Sequence, residues 1–407
     1  VKIYLCCFVL FFGSLFSKVP VVLGIDVLFE KENLGVLKNK RIGLIINQTS
    51  LNSSLRPTLD LFKENSGIYS LVALFSLEHG LEGSKNAGDL VPNTKKDKIP
   101  VYSLHGETRR PTTAMLKNID LLVFDVQEIG SRSYTYATSL FYLMEEAAKH
   151  KIKVVVLDRP NPINGVVVDG PMLRDEFRSF RGYINVPYCH GMTIGELAKF
   201  FNEEYKVGCD LKIIKMRHWD RKMSYSQTGL HWTPTSPYIP EADTCLFYPM
   251  TGTLGELGII NIGIGYTQPF KLIGAPWINA NDYAQSLNAQ KLPGIKFLPY
   301  HFKPYYGLYA DQECHGVKII ITDSRTYRPI ATQYLILGTL KSLYPKKMEK
   351  LLSQVAKEKL RSFNLVNGNE ITAALLLNEK YFAWKLIELA NEQLHDFNLK
   401  RQKYLLY

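Results

Sequence analysis

Between Gly24 and Met216 the chain alternates short apolar runs with segments of helical period, and this alternation limits the fold more than any other feature. Arg41-Ile42-Gly43-Leu44-Ile45-Ile46-Asn47, Leu71 to Ser76, Val101 to His105, Leu121 to Val126, Lys153 to Leu157 and Leu211 to Met216 read as strands. The run from Leu121 lacks polar alternation, the pattern of a strand covered on both faces of a parallel sheet. Helices are expected over Thr58 to Glu64, from Pro111 as a favoured first helical position, and over Thr135 to His150. In the last of these Leu140, Leu143, Met144 and Ala147 share one stripe. The capping box Thr193-Ile194-Gly195-Glu196 opens another helix through Tyr205. Strand and helix in alternation require crossover connections, so the expected fold class is α/β with a mainly parallel sheet.

At 407 residues the chain exceeds one ordinary core, and two domains are expected, 24–245 and 246–407. The Pro-rich stretch from His231 to Pro240 reads as a linker or a cleft-lining loop. A Gly-rich loop from Gly252 to Gly265, a strand from Val317 to Thr322 and later helices make up a smaller α/β domain. Residues 1–23 have the order of a secretory signal or N-terminal anchor: Lys2, then the apolar run Ile3 to Phe12. That run is short of the roughly 20 residues a spanning helix needs, so export to the periplasm or beyond is expected. Outside the signal, Cys189, Cys209, Cys245 and Cys314 lack metal-ligand spacing, and no metal site is expected.

The net charge of +11 suits an anionic substrate or polymer, although dispersed lysines also make an ordinary solvated surface. Nucleic-acid motifs are missing. Gly252-Thr253-Leu254-Gly255-Glu256-Leu257-Gly258 lacks the lysine of a P-loop, and no G-x-G-x-x-G opens a dinucleotide unit, so neither nucleotide nor other cofactor is expected.

In open parallel sheets, ligands bind beyond the carboxyl ends of the strands. Three of the strands run into polar clusters there: Glu78-His79-Gly80, then Gln127-Glu128-Ile129-Gly130-Ser131-Arg132 with Tyr134 and Tyr136, then Asp158-Arg159-Pro160-Asn161-Pro162. Glu78 is the candidate acid, since a carboxylic acid can protonate the leaving oxygen of a glycosidic bond; the alternative is a loop carboxylate satisfied by nearby amides. His79 is a ligand contact or a structural hydrogen-bonder. Glu128 is the second carboxyl or a partner for Arg132. Arg132 and Arg159 are candidate anion ligands, with an Asp158–Arg159 strand-end pair as the other reading for Arg159. Asn161 before Pro162 is a turn residue or a sugar ligand, and His190 faces the cleft or caps its turn.

These blocks, in this order, resemble a bacterial family associated with exo-β-N-acetylmuramidase activity. The resemblance is carried by Phe75-Ser76-Leu77-Glu78-His79-Gly80, by Gly106-Glu107-Thr108-Arg109-Arg110-Pro111, and by Phe124 to Tyr136. Further on it is carried by Leu157 to Pro162, His190 to Ala198, the Pro-rich stretch, Gly274-Ala275-Pro276-Trp277, and Arg401 to Tyr407. It implies a Rossmann-like sheet with helices on both faces, a smaller C-terminal α/β domain, and a cleft between them. It also implies release of N-acetylmuramic acid from peptidoglycan fragments without a metal, with Glu78 at the catalytic position. Gln127, Glu128, Tyr134, Tyr136, Asp158, Arg159, Asn161, His190 and Glu256 are then expected near the substrate. The chain departs from the family pattern at Leu77, Glu128 and the loop around Glu256, with Ile264 and Gln268 where arginines are usual. A hydrolase of shifted sugar or ester specificity, or a non-catalytic peptidoglycan binder, are the alternatives.

Overall fold

The computed structural model describes residues 19–407. Seven strands form the first sheet: β1 (Arg41–Ile46), β2 (Ser70–Ser76), β3 (Thr94–Lys96), β4 (Ile99–Ser103), β5 (Leu121–Asp125), β6 (Lys153–Leu157) and, after a small β7 (Asp169–Met172) and β8 (Pro187–Cys189) pair, β9 (Leu211–Ile214). Their order is β3-β4-β2-β1-β5-β6-β9, parallel throughout except for the edge pair β3–β4. Without β3 this is the doubly wound 3-2-1-4-5-6 arrangement.

Strand alternation decides which side chains cover which face. Ile42, Leu44, Leu74, Val123 and Val155 point to one side, where α1 (Gly24–Leu28) and α2 (Thr58–Glu64) bring Ile25, Leu28, Leu59 and Phe62. Ile45, Phe75, Phe124, Val154 and Val156 point to the other, onto α4 (Thr135–Lys149) and α5 (Ile194–Glu204), which follow the short α3 (Thr113–Leu116). Each fully buried apolar side chain of this size contributes about 1.5–3 kcal/mol, so a register slip in any central strand would be costly on both faces. The expected helix opening at Pro111 is shorter and later: Thr112 is its N-cap, accepting from Met115 N.

The remaining chain builds an antiparallel sheet, β10 (Leu272–Ala275), β11 (Ile295–Phe302) and β12 (Cys314–Ile321), in the order β10-β12-β11. Around it lie α6 (Thr244–Gly255), α7 (Ala280–Ala289), α8 (Pro329–Leu343), α9 (Pro345–Ser353), α10 (Lys357–Asn367), α11 (Ile371–Asn378) and α12 (Phe382–Arg401). The Gly-rich segment expected as a loop from Gly252 therefore begins as the last turn of α6. Apolar side chains of both regions share one core: Phe124 and Val156 belong to the same cluster as Met250, Leu337 and Phe397. The chain then returns to the first sheet, where Arg401 Nη1 donates to His190 O at 3.1 Å and the Tyr407 hydroxyl donates to Asp158 Oδ2 at 2.7 Å.

Residues 21–23, at the end of the expected signal segment, contact the first region. Val21 and Leu23 are buried in the first region's core, Val21 N donates to Thr228 O, and Val22 pairs with Arg217, so these residues belong to the folded body. The charge-then-apolar run at 2–12 lies outside the described residues. No helix among the described residues is long and apolar enough to cross a membrane. Cys189, Cys209, Cys245 and Cys314 are buried free thiols.

Candidate active site

A cavity of about 560 Å³ opens beyond the carboxyl ends of β2 and β4. The first region lines it with Glu78, His79, His105, Arg109 and residues 133–135, and residues Phe180 and Arg181 form one rim. The Pro-rich stretch contributes Ser236, Tyr238 and Ile239, and the C-terminal region Tyr248, Glu256 and Phe270. The Pro-rich stretch is thus a cleft-lining segment.

Glu78 is aimed into this cavity by a tight turn after β2. Gly80 N donates to Leu77 O, and both His79 and Gly80 take positive φ, 71° and 82°. Left-handed backbone at a non-glycine residue costs of order 1–3 kcal/mol and is held only by its surroundings; here the His79 ring supplies part of them through Nδ1 and the Lys85 carbonyl, 2.8 Å apart. The Glu78 carboxyl is fixed at both oxygens. Gly88 N donates to Oε1 at 3.0 Å, and the Thr135 hydroxyl at the start of α4 donates to Oε2 at 2.6 Å. His105 Nε2 lies 3.7 Å from Oε1.

His105 is buried with neither ring nitrogen hydrogen-bonded. Burial pushes its pKa below the ordinary histidine value, Glu78 opposes that, and Arg109 and His79 add to it. A buried imidazole without partners beside a cleft carboxyl is costly unless a ligand completes it. Arg109 lies 5.2 Å above the Phe180 ring and donates to Gly106 O at 3.3 Å; it has no carboxylate partner among the described residues. Arg181, by contrast, pairs with Glu256 at 2.9 Å, and Glu256 also accepts from the Ser362 hydroxyl.

The other two strand-end clusters are placed differently. Glu128 is fully buried outside the cavity; one oxygen accepts from Gly130 N and the other has no partner. Burial is the main reason its pKa is pushed up to about 8. Arg132, expected as its partner or as an anion ligand, instead spends its guanidinium on the carbonyls of Pro171, Val186, Val366 and Asn367. Arg159 pairs with buried Asp125 at 2.6 Å rather than with Asp158. That ion pair and Gln127, which donates to Glu128 O and Pro160 O, fill the point between β1 and β5 where doubly wound sheets commonly bind ligands. Only a hollow of about 20 Å³ is left there.

Asp158 accepts from Gly195 N, the Thr193 hydroxyl and the Tyr407 hydroxyl, serving the N-terminus of α5. Asn161 closes its own turn, accepting from Ile163 N and donating to Met192 O. His190 is buried, accepting from Met192 N, and burial pushes its pKa to about 3. Tyr136 lies beneath the cavity with its hydroxyl on Thr235 O, while Tyr134 reaches the lining and donates to Thr235 Oγ1. Of the residues singled out in the sequence, the cavity gathers Glu78, His79, Tyr134 and Glu256. His105 and Arg109 were missed as candidates, although applying the strand-end rule to β4 points to both.

Fold and pocket together give a doubly wound sheet with a carboxyl-bearing cavity at its strand ends. The chain belongs to the exo-β-N-acetylmuramidase NamZ family, whose N-terminal model matches residues 42–243 and whose C-terminal model matches 246–407. It is 40% identical over 396 residues to the peptidoglycan β-N-acetylmuramidase NamZ of Bacillus subtilis, covering 96% of this chain and 92% of that protein. Two DUF1343 family proteins of Bacteroides fragilis have crystal structures of the same fold. One is 38% identical with a TM-score of 0.89, covering 96% of this chain and 100% of the other. The second is 27% identical with a TM-score of 0.76, covering 96% and 99%.

Proposed function

We propose that the protein is an exo-acting β-N-acetylmuramidase that removes terminal N-acetylmuramic acid from peptidoglycan fragments, and that Glu78 is its acid. The observation that carries the reading is the Glu78 carboxyl, held from both sides on the wall of a cavity sized for one small ligand. The cavity opens to solvent on one side, where a glycan end can enter, and the apolar faces of Phe180, Tyr238 and Tyr248 suit a sugar ring.

Glu78 delivers its proton to the leaving glycosidic oxygen as the bond to the anomeric carbon breaks. The cavity's other carboxyl, Glu256, is tied to Arg181 and Ser362, and Glu128 is sealed away. Among the described residues no second unpaired carboxylate lines the cavity to act as nucleophile. That favours attack on the anomeric carbon by the substrate's own acetamido oxygen, opened afterwards by water. Arg109, in place of Arg132 and Arg159, takes the lactyl carboxylate, and His105 donates to or accepts from a sugar hydroxyl. Lys2 and the apolar run Ile3 to Phe12 support an exported enzyme working on the wall outside the membrane.

The test is release of the chromophore from a chromogenic β-N-acetylmuramide by the wild type and by Glu78→Gln. An unchanged rate in the variant removes Glu78 from the acid role, and muropeptide binding without turnover by the wild type favours a binding protein.

A further inference from the structure

Away from the cavity, β11 and β12 place two histidines directly opposite each other. His301 pairs with His315 in the antiparallel register, one step before Phe302 meets Cys314. Directly opposite side chains on such a ladder have Cβ atoms about 4.5–5.5 Å apart, and here the two Nδ1 atoms approach to 2.8 Å. Two imidazole nitrogens facing one another can be joined only by a proton or by a metal ion, because each offers one lone pair. Glu313, two residues before His315, brings a carboxylate to the same spot, and the three ligand atoms lie within 4.8 Å of one another. His301 and Glu313 are exposed and His315 is half-buried, so an ion can enter from solvent. On its other side His315 faces Ala275 of β10, a side chain too small to crowd the ring.

We propose that His301, His315 and Glu313 form a surface site for one divalent transition-metal ion of the zinc class. Two imidazoles and a carboxylate are a regular donor set for zinc, with water in the fourth position of a tetrahedron. Zinc–nitrogen bonds of about 2.05 Å across a tetrahedral angle need the two nitrogens about 3.3 Å apart. A small outward turn of the exposed His301 ring supplies the difference.

The position of the ligands gives the ion a structural task. His301 stands where the chain leaves β11 and Glu313 where it returns to β12, so the ion closes the loop of residues 303–313 at its stem. That loop carries Tyr306, whose hydroxyl lies 3.5 Å from that of Tyr238 on the cavity wall, and Tyr305, whose N–H donates to Gly265 O at 2.7 Å. Binding at the stem therefore holds the cavity's outer rim, apart from the reacting groups.

The experiment titrates zinc sulfate into untagged, chelator-stripped full-length protein by calorimetry, beside His301→Ala, His315→Ala and Glu313→Gln. One zinc ion per chain is expected at micromolar affinity. Each histidine variant should weaken it at least tenfold, and Glu313→Gln by a smaller factor. Cobalt(II) serves as a second readout on the wild type, where the visible absorption of a tetrahedral site is expected at one equivalent. Overturning results are the lack of saturable zinc binding below about 100 µM, binding unchanged in both histidine variants, or cobalt bound without the tetrahedral spectrum.

Discussion

The turn after β2 and the turns after β5 and β6 have similar composition, a carboxylate with charged or polar neighbours, yet they end in opposite environments. The Glu78 side chain is 13% exposed and faces the cavity. Glu128 and Asp158 are sealed inside, and Arg159 is drawn back onto Asp125. The difference lies in what each turn finds within the fold. The later two meet returning segments that cover them: residues 366–367 over Arg132, and Tyr407 over Asp158. The first is held by Gly88 N and the Thr135 hydroxyl, but the segments that come over it, carrying Tyr238, Tyr248 and Glu256, stand off across the cavity, so its carboxyl keeps one side open to a ligand. A polar cluster at a strand's carboxyl end thus either meets a substrate or locks the sheet, and its partners decide which.

The sharpest way to break this contrast is Glu78→Gln. If the first turn is the chemical one, the hydrolysis rate falls about 10²–10⁴-fold while the melting temperature stays near that of the wild type. Arg159→Ala should do the reverse. Removing one partner of a buried ion pair costs about 3–5 kcal/mol, read as a fall in unfolding free energy by urea titration. The fraction that remains folded should still turn over substrate.

Glu128 offers a pH test. Its folded-state pKa is pushed up to about 8 by burial, against about 4.3 for a free glutamate. Between those values the folded state holds a proton that the unfolded chain has lost. Stability from this group is therefore full at low pH and is lost as pH rises towards 8, by up to about 1.4 kcal/mol per unit. Unfolding titrations at pH 5 and pH 8 should show a fall for the wild type and a flatter response for Glu128→Gln. The variant should keep its activity to within a few-fold; a large loss would return Glu128 to the reaction. The smallest effect is expected from Arg109→Ala, which removes a charged contact worth about 1.5–3 kcal/mol. It should raise KM about 10–100-fold for muramic substrates and much less for analogues without the lactyl group.

Much of the first region was legible because strand burial leaves an unmistakable pattern. Lys153 to Leu157 and Thr58 to Glu64 are observed at the expected limits, and Thr193 with Glu196 forms the expected capping box. The C-terminal region was harder. In β11 burial changes face along the strand, from Ile295 and Phe297 to Phe302, which destroys the period of two. Helix α6 contains Pro249, Gly252 and Gly255, which argue against a helix on local propensity and are overridden by packing. At the site, Glu78 was visible because its strand ends in a short polar turn. The inward fate of Arg132 and Arg159 was not visible, because the carbonyls and carboxylate that take them come from segments far away in the chain.

The seat of Tyr407 on Asp158 has a consequence for assembly. The carboxylate at the end of β6 gains one of its donors from a residue 249 positions later, and the same tail seats Arg401 on the turn around His190. A polypeptide ending at residue 245 would possess all seven strands of the sheet but not the groups that quieten its inner charge. Such a contact closes late because so long a loop must be drawn together first. The tail contact and the shared core thereby tie the stability of each region to that of the other.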